Sequence, residues 1–232
     1  MLLPLGRVAT GSVAWQERRA AQTGDAGRNP WPLSVVVRTG AFWALFAAYL
    51  FTSLSAYAVL PQSVAALIES GFAPLLAASA FGMMGFLSTL GIVAVGALSD
   101  RFGRLITVTL TYIITIAGVL CLIAIAYYPS LILLYGFILG FGLMQGARGP
   151  IIVALISVLY PSGGVGSIFG TMSMAMGIGA ALGSWLSGLL HQTVGGYTAS
   201  FGLAVLGSTI GMLVFLLVPS LRHERLNARA QK

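Results

Sequence analysis

Few side chains in this 232-residue sequence can do chemistry, and the one most out of place is Arg148. It sits in Gly142-Leu143-Met144-Gln145-Gly146-Ala147-Arg148-Gly149-Pro150, inside a long apolar stretch. A guanidinium is permanently charged and carries a planar fork of N–H donors that fits a carboxylate or phosphate. At mid-depth in a bilayer it costs about 2.5–3.5 kcal/mol on insertion scales, so it normally faces a bundle interior or water. Helical periodicity puts Phe141, Gln145 and Arg148 on one face, apart from Gly142, Gly146 and Gly149. Charge inside a membrane is functional by default, so Arg148, with Gln145 on its face, is the candidate binding position. The alternative is that Arg148 snorkels to the membrane surface or bonds carbonyls freed by a kink. Pro150 cannot donate to the Gly146 carbonyl, which makes a kink credible.

A second constellation is Gly96-Ala97-Leu98-Ser99-Asp100-Arg101-Phe102-Gly103-Arg104, a knot of charge and glycine between two apolar runs. Its carboxylate can dock on the positive end of a helix or on an arginine. Equally, it is a solvated turn whose arginines fix orientation. Other chemistry has little to work with. The apolar stretches hold no Asp, Glu or Lys, and no His before His191, so acid–base catalysis has no obvious player. Cys121 is the only cysteine, which excludes an internal disulfide and a cysteine-rich metal site. No phosphate-loop pattern is present. Neither an enzyme nor a cofactor is expected.

The elements that must position these residues follow from composition. Hydrophobic residues are 58% of the chain and charged ones 7%, against roughly 25% charged in a soluble domain. That excludes a water-soluble globule and a disordered chain and predicts a multi-pass, all-α membrane protein. About 20 apolar residues cross the hydrocarbon core, and spans fall near 41–60, 74–98, 105–127, 131–158, 165–190 and 197–218. Breaks are marked by Pro61, Gly71 and Pro74, Pro129-Ser130, Pro161-Ser162-Gly163-Gly164, Gly195-Gly196 and Pro219. Residues 1–38 read as a cytoplasmic tail or interdomain linker, 39–220 as the membrane domain, and 221–232 as a cytoplasmic carboxy-terminal tail. Of the twelve Lys and Arg residues, all but Arg148 fall on one side of this arrangement. The +7 net charge is thus a topology signal and not a nucleic-acid footprint. The positive-inside rule puts both termini in the cytoplasm, in a cell (inner) membrane. Gly136/Gly140, Gly142/Gly146, Gly179/Gly183 and Gly207/Gly211 have small-xxx-small spacing and read as helix-packing positions. A stripe of Gly170, Ser173, Gly177, Ala181, Ser184 and Gly188 reads the same way.

The pattern Gly-x-x-x-Asp-Arg-x-Gly-Arg at 96–104 resembles the signature loop of the major facilitator superfamily, with Leu105 in place of its final basic residue. Arg38-Thr39-Gly40-Ala41-Phe42-Trp43, the glycine-rich run around Arg148, Gly177–Gly188, and Gly195-Gly196-Tyr197 with Phe201 are similar to later helices of that family. The resemblance covers roughly 38–220 and implies the carboxy-terminal six-helix half, a 3+3 inverted repeat. It implies a secondary transporter of a small solute, with Gly96, Asp100, Arg101, Gly103 and Arg104 forming a conformational latch. It also implies a partner, the amino-terminal six helices. The chain is then a fragment of a longer product, one part of a split transporter, or a half that dimerises. Arg148 leans toward small organic anions, as in the monocarboxylate and oxalate–formate branch, although no charge lies in 74–98 where that branch usually has an arginine. A hydrophobic-drug exporter and a non-transporting membrane scaffold are the alternatives.

Overall fold

A computed structural model describes residues 33–159 and 165–217, and every element among them is helical. A short helix α1 (Leu33–Val36) precedes α2 (Gly40–Glu69), α3 (Pro74–Phe102) and α4 (Arg104–Ile125). The fourth span is built in pieces: α5 (Leu131–Phe137), a π-helical turn (Ile138–Gly142), α6 (Leu143–Gln145) and α7 (Arg148–Leu159). Then come α8 (Val165–Leu190), a second π-helical turn (His191–Gly195) and α9 (Thr198–Leu217). Six of these stretches are long and apolar enough to cross a membrane: Gly40–Glu69, Pro74–Phe102, Arg104–Ile125, Leu131–Val153, Gly166–Gly195 and Thr198–Leu216. Of the expected tails at 1–38 and 221–232, residues 1–32 and 221–232 lie outside the described residues, as do the expected breaks at 161–164 and at Pro219. Residues 33–38 are described, and Val36 of α1 is fully buried in the core.

Pro61 does not end the first span as its sequence suggests; α2 runs through it to Glu69. Proline lacks the N–H that would bond the carbonyl four residues back, here that of Tyr57. The Ser184 hydroxyl of α8 donates to that carbonyl across a long 3.5 Å, and Ser187 donates to the next one, Ala58 O, at 2.8 Å. A membrane helix tolerates proline when a neighbour satisfies the freed acceptor in this way. Glu69 therefore sits on the last turn of a span instead of in a loop.

The α2–α8 pair is the most extensive contact in the bundle. Gly179 faces Leu50 O, Gly183 faces Leu54 O, and Ser187 bonds Ala58 O, so the register advances four residues at a time on both helices. The helices are parallel, and Ser53 adds a bond to Met176 O at 2.7 Å. The span-four glycines work similarly: Gly140 touches the Gly118 backbone of α4, while Gly142 and Gly146 meet Met84 and Ser88 of α3. Close approach at small-xxx-small pairs is thus what holds the bundle. The second small stripe on α8 differs. A side chain added at Gly170, Gly177 or Gly188 meets nothing within 4 Å among the described residues, so the ribbon is open at those three positions, while its Ser184 reaches Tyr57 O of α2.

Two apolar cores lie at the two ends. Phe42, Leu45, Tyr112, Ile156 and Ile168 belong to one, and Leu67, Leu122, Phe137, Phe141 and Phe201 to the other.

Candidate functional site

Arg148 is only 4% exposed. It opens α7, just after Gly146 and Ala147 interrupt the helix that ends at Gln145. Its Nη2 donates to Thr111 O at 3.2 Å and to Thr115 Oγ1, both on α4. The guanidinium carbon lies 4.4 Å from the centre of the Tyr112 ring. Thr115 Oγ1 itself donates to Thr111 O at 2.8 Å. Tyr112 Oη shares a 2.5 Å hydrogen bond with Thr52 Oγ1, tying the cluster to α2. Arg148 Nε is buried with no hydrogen-bond partner among the described residues.

These contacts decide between the two simple fates of a membrane arginine. Thr111 and Thr115 lie about 10–16 Å along α4 from its start at 1.5 Å per residue, so the head reaches toward mid-depth and does not snorkel. Nor does it bond carbonyls of its own broken helix; its backbone acceptor is on a neighbour. A desolvated cation–π contact contributes about 2 kcal/mol, and interhelical hydrogen bonds in membranes average about 0.6 kcal/mol. Together they roughly offset the insertion cost, without a carboxylate. The two carboxylates among the described residues, Glu69 and Asp100, are both exposed at helix ends.

Gln145 is half-buried, and none of the bonds that hold Arg148 involves it. A π turn over Ile138–Gly142 and a two-residue interruption at Gly146 and Ala147 fall in the stretch that carries Phe141, Gln145 and Arg148; Phe141 and Arg148 both meet α4, at Gly118 and at Thr111 and Thr115. Sequence reasoning missed Tyr112, Thr111, Thr115 and Thr52. The spacing of Thr107, Thr111 and Thr115 was the available signal: three hydroxyls four residues apart, all at most 1% exposed.

The 96–104 segment is helix almost to its end, not a nine-residue turn. α3 continues through Asp100, Arg101 and Phe102, and a single glycine makes the reversal. Gly103 has φ +89°, a left-handed conformation that side chains disfavour. Its carbonyl then accepts from Thr107 N at 3.2 Å and Thr107 Oγ1 at 3.0 Å to start α4. A side chain added at Gly96 would meet nothing within 4 Å among the described residues, so no close approach there requires glycine. Asp100 is exposed and takes no ion-pair partner among the described residues. Arg101 lies 5.6 Å from the Phe102 ring centre, and Arg104 is half-buried.

A smaller polar group closes the opposite end. Tyr197 Oη donates to Glu69 Oε1 at 3.2 Å, and the His191 ring stacks on Tyr197 at 4.2 Å. Burial first, then the bond to Glu69, holds the Tyr197 phenol above its ordinary range. Among the described residues no three His, Cys, Asp or Glu side chains gather as metal ligands.

Comparison with known proteins gives a family and relatives. The family model described as Major Facilitator Superfamily matches residues 41–232. Monocarboxylate transporter 13 of Bos taurus is 31% identical over 157 residues, covering 67% of this chain and 36% of that protein. Its counterpart in Rattus norvegicus is 30% identical over the same length and the same shares. The chain thus spans about a third of the length of the curated relatives it matches.

Proposed function

Because the chain belongs to the major facilitator superfamily, we propose that it supplies six helices of a secondary transporter for small organic anions, working by alternating access. The observation that carries this reading is Arg148: a cation buried in the bundle and bonded to neither carboxylate among the described residues. Similarity to transporters named for monocarboxylates supports the same class. Gln145, three residues earlier, is the proposed second contact. The partner is a matching six-helix half from the same gene product, a split gene or a second copy, and substrate lies between the halves.

A second reading is favoured by the bonds to Thr111 and Thr115: Arg148 is a tie between α4 and the broken fourth span. In a thermal-unfolding assay of the assembled transporter, the anion reading expects pyruvate, lactate or oxalate to raise the melting temperature. Protection by the lipophilic cation tetraphenylphosphonium alone would instead assign a drug exporter, and protection by none of them a scaffold.

The proposed orientation has both termini in the cytoplasm of a cell inner membrane, following the arginine asymmetry. In a Cys121→Ala background, Phe102→Cys should resist an impermeant thiol reagent in intact cells while Ala73→Cys reacts. Both positions are exposed in the structure, and the opposite labelling pattern reverses the orientation. Asp100, with Gly96, Arg101, Gly103 and Arg104, is the proposed latch, its counterpart lying on the partner half. Asp100→Asn should slow transport about tenfold with normal membrane insertion, the cost of one charge-assisted contact of about 1.4 kcal/mol. Wild-type rates in that variant leave the segment a topology signal only.

A further inference from the structure

Resting on the anion-site reading, we infer that Thr115 and the Thr111 carbonyl form a parking site on α4 that holds Arg148 away from substrate until an anion draws it out. Three features of the cluster carry this. The guanidinium is turned into the bundle, with Nη2 committed to Thr111 O and Thr115 Oγ1 and one face covered by Tyr112. No space for an anion is implied there, because Tyr112 is itself 1% exposed and locked to Thr52. Second, Nε is buried with no hydrogen-bond partner among the described residues, so the docked state leaves part of the donor fork unused there. Third, Arg148 is the first residue after the Gly146–Ala147 interruption, where a small backbone rotation re-aims its side chain.

Thr115 acts in this scheme only through Arg148. Its hydroxyl proton is already given to Thr111 O at 2.8 Å, leaving lone pairs that accept from the guanidinium. It has no proton to offer an anion, so its removal forfeits no substrate contact. Docked and released states compete, and apparent affinity falls by the fraction that is released. Weakening the dock therefore tightens anion binding, a sign opposite to that of losing a ligand. Interhelical hydrogen bonds in membranes span a range that converts to about threefold to twentyfold in affinity.

The test uses the assembled transporter in lipid nanodiscs, with radiolabelled pyruvate and oxalate as probes. Thr115→Val, which keeps the shape and drops the hydroxyl, is expected to lower the dissociation constant by about threefold to twentyfold. Thr115→Ser, which restores the acceptor, returns it to the wild-type value. Thr115→Ala serves as a second hydroxyl deletion if the valine variant fails to fold. Tighter binding that reverts with serine supports parking. Equal or weaker binding in Thr115→Val, while Arg148→Ala still loses affinity, overturns parking and leaves the anion site standing. Wild-type affinity in Arg148→Ala overturns the anion site and the parking site with it.

Discussion

Arg148→Ala is expected to weaken carboxylate binding by about 30-fold or more, since losing one partner of a desolvated charge pair costs about 2–5 kcal/mol. Arg148→Lys should fall between the two, because an ammonium keeps the charge but not the planar fork. Thermal stability should move far less. Truncation removes a cation whose insertion costs about 2.5–3.5 kcal/mol, and it forfeits contacts with Tyr112, Thr111 and Thr115 of similar total size. The two changes nearly cancel. Affinity by equilibrium binding and melting temperature should therefore be measured on the same purified, assembled protein. Unchanged affinity with a clearly lowered melting temperature would make Arg148 a tie between helices, and the organic-anion assignment would fall with it.

Gly91→Ala is the second large expected effect, and it acts on the fold. The added methyl would overlap Leu143 O, a backbone atom that cannot rotate aside. Overpacking typically costs about 1–3 kcal/mol, and a clash with backbone belongs at the upper end or beyond. It also falls where α3 supports the broken fourth span, so α3, α6 and α7 would all shift. Gly85→Ala on the same helix is the matched comparison, because nothing lies within 4 Å of its added carbon. That change should be neutral or slightly stabilising, by about 0.5–1 kcal/mol of helix propensity. Chemical denaturation of the two variants checks the contrast. Equal stability would mean that the α3–α6 approach is looser than described.

How much of this was legible in the sequence differs from residue to residue. The six spans were legible because apolar length is a strong signal, and the glycine pairs because close helix approach requires small residues at that spacing. The length of α2 was not. Pro61 and the polar residues after it read as a break, and the Tyr57 carbonyl that Pro61 leaves free is met by Ser184, more than a hundred residues away. The 96–104 segment announced a turn but not its economy, since helix continues through Asp100 and Gly103 alone reverses the chain. Arg148 announced itself through charge in an apolar run. Its neighbour could not be read, because periodicity says which residues share a face and not which helix that face meets. Nor could its partners, which are hydroxyls and a ring on another helix. Thr107, Thr111 and Thr115 formed a visible polar stripe on α4, but on its own such a stripe bonds its own helix backbone, as each of these three also does.

The most direct test of the central claim is solute exchange in proteoliposomes containing the assembled transporter, preloaded with unlabelled pyruvate, lactate or oxalate. Labelled anion outside should enter faster than into protein-free vesicles, saturate with concentration, and slow by about 30-fold or more at low concentration with Arg148→Ala. Entry no faster than into protein-free vesicles, from protein shown to be folded and inserted, would contradict the account.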